Sequence, residues 1–268
     1  MFEIIKAIIL GIVEGLTEFL PVSSTGHLIL LNHWLSFSPE FTVLFDIFIQ
    51  LGAIIAVIVY FRKDLFPTSF RNVLDKDYLS FWSKIIVAFL PAVVLGLIFA
   101  DFIEEHLFNA TVVCISLIIG GIGLIFFDRK SKASKFESVQ NMSYKIALSI
   151  GFFQCLAMIP GTSRSAATII GALFLGSSRK LAAEFSFYLA IPTILGASVY
   201  SLLKSSIAFT SWELILLSIG FVVSFLVAIV VIKFLMDFIK KHTFVAFGYY
   251  RIILASAMIL FLFFSGNL

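Results

Sequence analysis

Residues 14–27, EGLTEFLPVSSTGH, place two carboxylates, an imidazole and several hydroxyls inside a segment that is otherwise apolar. An ionisable side chain at the centre of a bilayer costs roughly 2.5–3.5 kcal/mol on insertion scales, so such residues are expected to face protein or water. A second stretch, residues 154–169 (QCLAMIPGTSRSAATI), repeats the layout of an apolar run, a proline, small hydroxyl residues and another apolar run. We predict that the two stretches meet in one functional site.

The composition is that of a membrane protein. The 268 residues are 60% hydrophobic and 13% charged, whereas soluble domains are about 25% charged and about 45–50% apolar. Several apolar stretches reach the roughly 20 residues that a spanning helix needs, and the alternating pattern of a β-barrel is absent. We therefore predict an all-α polytopic membrane protein with a single membrane domain, 1–268. The net charge of +3 is too small to indicate a nucleic-acid partner.

The positions of Glu14 and Glu18 also bear on the amino terminus. They lie where a signal peptide would have its apolar core and its cleavage site, so we expect the first residues to belong to the mature protein. The apolar runs on either side of Pro21 are each too short to span, which predicts a re-entrant helical hairpin. A second hairpin is predicted for 146–176, around Pro160. Six spanning helices are predicted at about 41–61, 85–100, 110–127, 182–203, 213–236 and 249–265.

Each half of the chain, about 1–128 and about 143–268, thus contains one re-entrant hairpin plus three transmembrane helices. Because three is odd, the second half enters the membrane upside down, which predicts an inverted-topology repeat. Such repeats commonly place their site near the midplane, where broken helices from both halves converge. Pro21 and Pro160 are 139 residues apart. The same offset aligns two further pairs, Ser24 with Ser163 and Thr25 with Arg164.

The basic residues predict the orientation. Of the 19 Lys and Arg residues, 15 fall in loops that this topology places on one side, at 62–84, 129–145, 179–180 and 237–251. Only Lys6 and Lys204 lie on the opposite side, and the positive-inside rule makes the basic side cytoplasmic. We therefore expect both termini outside, and a site that opens to the outer, periplasmic face.

Glu14 and Glu18 are four residues apart and share a helix face. Together they can hold a hard divalent cation, or one can act as a base while the other binds metal. On a soluble helix the same spacing would more often be a solvated face. Inside an apolar run that interpretation loses its basis, because water is absent.

Ser23, Ser24, Thr25 and His27 follow Pro21 and precede an apolar helix. Their hydroxyls and free backbone N–H groups lie at a helix amino terminus, where anions bind. A serine near a histidine and a carboxylate is the general arrangement of an activated nucleophile. The alternative is that the hydroxyls only cap the helix and that the histidine is an ordinary buried one.

Arg164 lies within a membrane segment, among Ser163, Ser165 and Thr168. A guanidinium binds phosphate through two parallel hydrogen bonds, and the three hydroxyls mark another helix amino terminus. The alternative is a structural ion pair with one of three acids: Glu14, Glu18 or Asp46. Together the two stretches predict a site for a polyphosphate group, neutralised by metal, on a substrate whose remainder is lipid.

At EGLTEFLPVSSTGH and PGTSRSAATI the chain closely resembles the undecaprenyl pyrophosphate phosphatase family, also known as the bacitracin-resistance protein family. The resemblance extends to FDIFIQLGAIIAV (45–57), PAVVLGL (91–97) and EFSFYLAIP (184–192). It implies a multi-pass hydrolase of the bacterial plasma (inner) membrane, which removes the terminal phosphate of undecaprenyl pyrophosphate. The monophosphate carrier then serves peptidoglycan and other envelope polymers. The family's activity requires a divalent cation such as magnesium or calcium.

Carried over by position, the resemblance implies catalytic roles for Glu14, Glu18, Ser24, His27 and Arg164. Metal binding is implied for the two glutamates. Pyrophosphate binding is implied for Ser23, Thr25, Ser163, Arg164, Ser165 and Thr168. The nucleophile is left open between Ser24, His27 and water. A transporter or flippase of the lipid phosphate is the alternative from another class, since inverted repeats are a transporter architecture. Membrane lipid is the expected surrounding partner, and a homodimer is left open.

Overall fold

The computed structural model describes residues 1–67, 74–130, 134–204 and 209–265. Within these ranges the chain forms eleven α-helices and no β-strand, as the all-α prediction requires. In chain order the helices are α1 Phe2–Thr17, α2 Ser24–Leu35, α3 Pro39–Tyr60, α4 Arg62–Leu65, α5 Lys76–Leu107, α6 Ala110–Lys130, α7 Tyr144–Cys155, α8 Arg164–Leu175, α9 Arg179–Lys204, α10 Ser211–Phe238 and α11 Val245–Ser265. Two of the basic loop residues counted above, Arg71 and Lys132, lie outside the described residues.

Six helices of the described chain are long and apolar enough to cross a membrane, namely α3, α5, α6, α9, α10 and α11. They coincide with the six predicted spans, and the protein is a multi-pass membrane protein. α5 is longer than its predicted span of about 85–100 at both ends. It runs to Leu107, and it begins at Lys76 and so contains Lys84, which we had placed in a loop. Its amine is buried and donates to the carbonyls of Val139 and Gln140, both at 2.9 Å.

The four short helices form two pairs at the positions of the predicted hairpins. α1 has 16 residues and α2 has 12, and the chain between them contains Pro21. α7 and α8 have 12 residues each, and a 3₁₀ turn, Leu156–Met158, precedes Pro160 between them. A proline has no N–H to donate, so each break falls where a helix cannot continue unaltered.

The two pairs pack on helices of the opposite half of the chain. α1 lies against α10, and a Cβ at Gly11 would come within 2.8 Å of the Gly220 carbonyl oxygen. α7 lies against α5, and a Cβ at Gly151 would collide with the Ala88 carbonyl oxygen. Small residues permit such close approach of helix backbones in membranes. Gly11 and Gly151 are 140 residues apart, so equivalent positions make equivalent crossed contacts.

The three central helices are α3, α9 and α10, which are more buried within the protein than α5, α6 and α11. α9 contributes fully buried aromatic residues such as Phe185 and Phe187 to the largest apolar cluster. The outer helices expose large apolar side chains that a bilayer would cover. The loops of the two short helix pairs contact each other.

Candidate active site

Each loop between paired helices ends in a serine with an unusual backbone. Ser23 has φ 73° and Ser163 has φ 70°, and they are the only residues other than glycine with positive φ in the described chain. Each is the N-cap of the following helix, and its hydroxyl accepts from the N–H of Gly26 at 3.3 Å or of Ala166 at 3.2 Å. This conformation is sparsely populated and is often retained at functional sites.

These caps correct the alignment of the two stretches. The capping serines are 140 residues apart, whereas the prolines are 139 apart, because the second loop has one more residue between proline and cap. The structural equivalents are therefore Ser23 with Ser163 and Ser24 with Arg164. The pairing of Ser24 with Ser163 was wrong by one position. The residue that follows each capping serine is a candidate catalytic residue: Ser24, with its hydroxyl, in the first loop and Arg164, with its guanidinium, in the second.

Glu18 joins the two loops. One carboxylate oxygen, Oε2, accepts from the Ser24 hydroxyl at 2.5 Å, and the other, Oε1, accepts from Nη2 of Arg164 at 3.2 Å. Both side chains of this ion pair are almost buried, with 9% of Glu18 and 10% of Arg164 exposed. The sequence left open an ion pair between Arg164 and one of three acids. The structure shows this ion pair with Glu18, and the same carboxylate also accepts from Ser24.

Arg164 is fixed from its other side by α9. Its Nη1 donates to the backbone carbonyl of Ser186 at 2.8 Å. The Ser186 hydroxyl accepts from Thr168 at 2.7 Å, so the serine secures both the arginine and the helix that carries it. Nε of Arg164 has no hydrogen-bond partner in the described chain, which leaves donor capacity for a ligand. Ser165 donates to the Leu20 carbonyl at 2.9 Å and ties the second loop to the first.

A cavity of about 560 Å³ opens above this cluster. Five of the predicted site residues line it: Glu18, Ser24, Thr25, Ser163 and Arg164. The rest of the wall is mostly apolar and comes from residues 89–100 of α5 and 193–200 of α9, with Gln50 and Gln154 as further polar groups. The cavity therefore has one end lined by charged and hydroxyl groups and a side that is mostly apolar.

Glu14 does not line this cavity. It is fully buried in α1, and neither carboxylate oxygen has a hydrogen-bond partner in the described chain. The charges of Glu18, Asp46 and Arg164 all act on it. Asp46 in turn accepts from the side-chain amide of Asn32 at 3.0 Å. An unpartnered buried carboxylate is costly, so this position is suited to a cation or a proton.

His27 also lies apart from the cavity, because both ring nitrogens are engaged elsewhere. Nδ1 is 2.7 Å from the Ser23 carbonyl, and Nε2 is 2.7 Å from the Tyr250 hydroxyl. A carbonyl only accepts, so Nδ1 carries a proton, and in a neutral imidazole Nε2 then accepts from the tyrosine. The ring of Tyr250 stacks on that of His27, at 5.7 Å between centroids. The structure therefore separates the imidazole from the Ser24 hydroxyl.

The chain is similar to a known protein family. The model of the family described as bacitracin resistance protein BacA matches residues 7–257. The chain belongs to this family. It is also 52% identical over 267 residues to the undecaprenyl-diphosphatase 1 of Clostridioides difficile strain 630, covering 98% of this chain and 97% of the relative.

Further relatives within the BacA family extend this similarity. The chain is 49% identical over 266 residues to the undecaprenyl-diphosphatase of Enterococcus faecalis, covering 96% of each chain. It is 51% identical over 267 residues to the undecaprenyl-diphosphatase of Acetivibrio thermocellus, covering 97% of this chain and 98% of the relative. Both stretches discussed above lie inside the matched residues.

Three residues in contact with the site were not singled out from the sequence: Ser186, Tyr250 and Arg251. Ser186 lies in the segment EFSFYLAIP, but a lone serine in an apolar run is a weak signal. Arg251 had been counted with the basic loop at 237–251, and this was wrong. It is fully buried in α11 and donates to carbonyls of both loops. Arg251 is therefore a second arginine, besides Arg164, that lies inside the protein.

A resident metal would have to use oxygen ligands here. The described residues contain no group of three or more His, Cys, Asp or Glu side chains arranged to hold an ion. Glu14 nevertheless offers two unpartnered oxygens beside Glu18 in the same helix turn. Magnesium is commonly held by one or two carboxylates, with substrate phosphate oxygens and water completing its shell. The donor set fits such an ion.

Proposed function

We propose that this BacA-family protein is a membrane hydrolase that removes the terminal phosphate of undecaprenyl pyrophosphate and yields undecaprenyl phosphate. The product would be the recycled carrier for cell-envelope polymers, and its formation would underlie bacitracin resistance. The observation that carries the proposal is the Arg164–Glu18–Ser24 chain of hydrogen bonds at the polar end of a largely apolar cavity. The names of the relatives support the choice of substrate.

The cavity suits a lipid diphosphate. A pyrophosphate needs cationic and N–H donors, whereas an isoprenoid chain needs apolar surface. The unused donors of Arg164 and the first-turn N–H groups of α2 and α8 would bind the phosphates. Ser23, Thr25, Ser163, Ser165 and Thr168 would support this binding by capping the helices and fixing the loops. The walls from α5 and α9 would receive the beginning of the isoprenoid chain.

Ser24 is the nucleophile that the geometry supports best. Its hydroxyl already donates to Glu18, which would take the proton as the Oγ–phosphorus bond forms. The bond between the terminal phosphorus and the bridging oxygen breaks, and undecaprenyl phosphate leaves with the electron pair. Water then attacks the phosphoserine, one of its protons passes to Oγ, and inorganic phosphate departs. Glu18 releases the proton it had accepted to solvent.

The competing nucleophiles have less support. His27 has both ring nitrogens engaged, with the Ser23 carbonyl and the Tyr250 hydroxyl, and it does not line the cavity. We propose that His27 orients the first loop and takes part in proton transfer there. Direct attack by water, activated by a glutamate, would leave the short Ser24–Glu18 hydrogen bond without a catalytic role. The Ser24→Ala variant separates these schemes, as argued below.

A divalent cation, magnesium or calcium, is part of this proposal. Glu14 and Glu18 would hold it, because Glu18 lines the cavity and Glu14, one helix turn before it, has two buried carboxylate oxygens without a partner. When bound, the ion supplies charge neutralisation for the pyrophosphate. Arg164, by contrast, provides a permanent positive charge with directional donors. The two glutamates thus have different duties, since only Glu18 also contacts Ser24 and Arg164.

The architecture we propose is the inverted-topology repeat, with α1–α2 and α7–α8 as re-entrant hairpins. Three observations support it: the shortness of all four helices, the crossed packing of α1 on α10 and α7 on α5, and the 140-residue spacing of equivalent glycines and capping serines. Repeat one would span about 1–128 and repeat two about 143–268. Irregular loops at membrane depth are tolerable here because they are buried in protein or line the cavity.

We further propose the bacterial plasma membrane as the location, with both termini outside and the cavity open to the periplasmic face. Because Arg251 lies in the interior, 14 rather than 15 of the 19 basic residues fall on the side predicted to be cytoplasmic. The charge asymmetry between the two sides therefore persists. The cavity extends along α5 and α9 towards their carboxyl ends, which this orientation places outside. Membrane lipid would surround the outer helices. Homodimer formation stays a prediction, which light scattering of the detergent-purified protein would test.

The decisive experiment is phosphate release from a long-chain isoprenyl pyrophosphate by purified protein in detergent, with and without a chelator. We expect metal-dependent release that is lost in Glu18→Gln and in Arg164→Ala. Glu40→Gln and Arg129→Ala, both exposed, serve as matched controls and should retain activity. Detergent removes the second compartment, so hydrolysis is measured apart from transport. A folded wild type that binds the lipid but releases no phosphate would favour the flippase alternative.

A further inference from the structure

Arg251 is the largest fully buried side chain of the described protein. It lies in the second turn of α11, and its guanidinium donates only to backbone carbonyls. The four bonds are Nε to Leu117 at 3.3 Å, Nη1 to Pro21 at 3.4 Å, and Nη2 to Ser116 and Gly161, each at 3.0 Å. None of the ion pairs formed by the described residues includes it. A buried guanidinium without a carboxylate must be compensated by hydrogen bonds, and these carbonyls provide them.

Two of the four carbonyls belong to the loops of the candidate active site. Pro21 lies three residues before Ser24, and Gly161 lies three residues before Arg164. By the 140-residue spacing of the capping serines, these two carbonyls are structural equivalents. One side chain of α11 therefore holds the same point of both loops. Its other two bonds attach this assembly to α6.

The surrounding backbone leaves space for this arrangement. A Cβ at Gly120 of α6 would collide with Nη2 of Arg251, and one at Gly121 would lie 3.3 Å from its Cβ. Gly161 itself has φ 87°, and a Cβ there would come within 2.6 Å of the Val113 carbonyl oxygen. The glycines of α6 therefore leave room for Arg251, and Gly161 lets the second loop approach α6 closely.

We propose that Arg251 is a positioning residue, which sets the separation of Ser24 and Arg164 by binding the equivalent carbonyls of Pro21 and Gly161. The inference rests on the proposed phosphatase function, because it concerns the alignment of nucleophile and phosphate. An arginine is required since it presents five donors in a rigid fork. A lysine would keep the positive charge, but its three donors lie on a single nitrogen, so it could not reach all four carbonyls at once.

The first test is kinetic, with Arg251→Lys and Arg251→Gln in detergent-purified full-length protein. Misalignment of about 1 Å can cost about 100-fold in rate, so we expect kcat to fall about 100-fold in both variants. KM should stay within about threefold, because Arg164 still binds phosphate. The control is Arg129→Gln, which breaks another α6–α11 contact, to Tyr249 at 2.9 Å, without touching either loop. Wild-type kcat in Arg251→Lys would overturn the proposal, since charge alone would then suffice.

A second variant keeps the arginine and displaces it, in case neither substitution at 251 folds. Gly120→Ala places a methyl group against Nη2, whereas Gly123→Ala on the same helix meets only the flexible Ile170 Cδ1 at 3.3 Å. We expect Gly120→Ala to lower kcat and Gly123→Ala to leave it unchanged. Equal kcat in the two alanine variants, both at the wild-type value, would contradict the positioning role.

Hydrogen–deuterium exchange separates this inference from the proposed function. In Arg251→Lys and Gly120→Ala, the amides of residues 19–25 and 159–165 should exchange faster together, because both loops lose the same anchor. The Gly123→Ala variant should match the wild type. If the wild type released no phosphate, the proposed function would fail while the exchange result still decided whether Arg251 joins the loops. Unchanged exchange in both loops would overturn the inference.

Discussion

The two short helix pairs have the same outline but differ in how firmly they are held. α8 buries eight of its 12 residues, packs against α6, α7 and α9, and ends at Gly176 in the left-handed conformation. α2 buries only three of its 12 residues, Ser24, Gly26 and Leu28. The more buried helix, α8, carries Arg164, and the less buried helix, α2, carries Ser24. In the proposed mechanism, a fixed cation receives the phosphate and a less constrained helix presents the nucleophile.

The largest effect on activity is expected at Ser24, the proposed nucleophile on α2. Ser24→Ala removes the hydroxyl that donates to Glu18, and we expect kcat to fall at least about 1,000-fold with little change in KM. The matched control is Ser149→Ala in α7, a partly exposed serine bonded to its own helix. Phosphate release at saturating lipid measures the effect. Turnover within tenfold of the wild type would remove the serine scheme and favour attack by water.

The next effect tests the anchored pair. Arg164→Lys keeps the charge but replaces the two nitrogens that bond to Glu18 and to the Ser186 carbonyl by a single one, without the planar fork. We expect kcat/KM to fall about 100-fold, with a clear rise in KM that Ser24→Ala does not show. Arg129→Lys is the control at an exposed arginine. If the two site variants gave the same pattern of kcat and KM, the division of duties between the pairs would be wrong.

A smaller effect on activity is expected at Ser186, because its backbone carbonyl, which holds Arg164, is not removed by a side-chain substitution. Ser186→Ala leaves the carbonyl that accepts from Arg164 at 2.8 Å and removes the hydroxyl, which accepts from Thr168 at 2.7 Å and, at 3.5 Å, from Nη1 of Arg164. One hydrogen bond is worth about 0.5–1.5 kcal/mol, so kcat/KM should fall by a few-fold to about tenfold. Ser218→Ala in α10, an exposed serine bonded within its helix, is the control. A loss above about 100-fold would mean that the hydroxyl itself reaches the substrate.

The sequence predicted the features that depend on composition and length. Six spans were found because each is a long apolar run, and Glu18 and Arg164 were found because charge inside such a run requires a reason. The register of the repeats was one residue off, because prolines mark a break only approximately and the capping serines set the true equivalence. A proline alone does not specify loop length.

Other features depend on contacts between distant parts of the chain. His27 was expected near Ser24, but its Nε2 bonds to Tyr250, which is 223 residues away. Arg251 begins an apolar run shortly after Lys240 and Lys241, so it resembled a basic residue at the membrane surface. Only the folded chain shows that it faces inward, towards carbonyls that the sequence does not reveal. Both features involve α11, whose packing on α6 has no local signature.

The smallest expected effect sharpens the comparison of the pairs through their caps. Ser23→Ala and Ser163→Ala each remove one N-cap hydrogen bond, worth about 1 kcal/mol, and both place alanine at positive φ, so backbone strain affects them equally. A loss of 1 kcal/mol is about a fivefold change in a local opening equilibrium. We expect this increase in amide exchange across α2, which has little packing to replace the cap. α8 should change less, since its neighbours hold it. Ser143→Ala, at the exposed cap of α7, controls for capping in general. Equal increases in α2 and α8 would show that packing does not distinguish the two pairs.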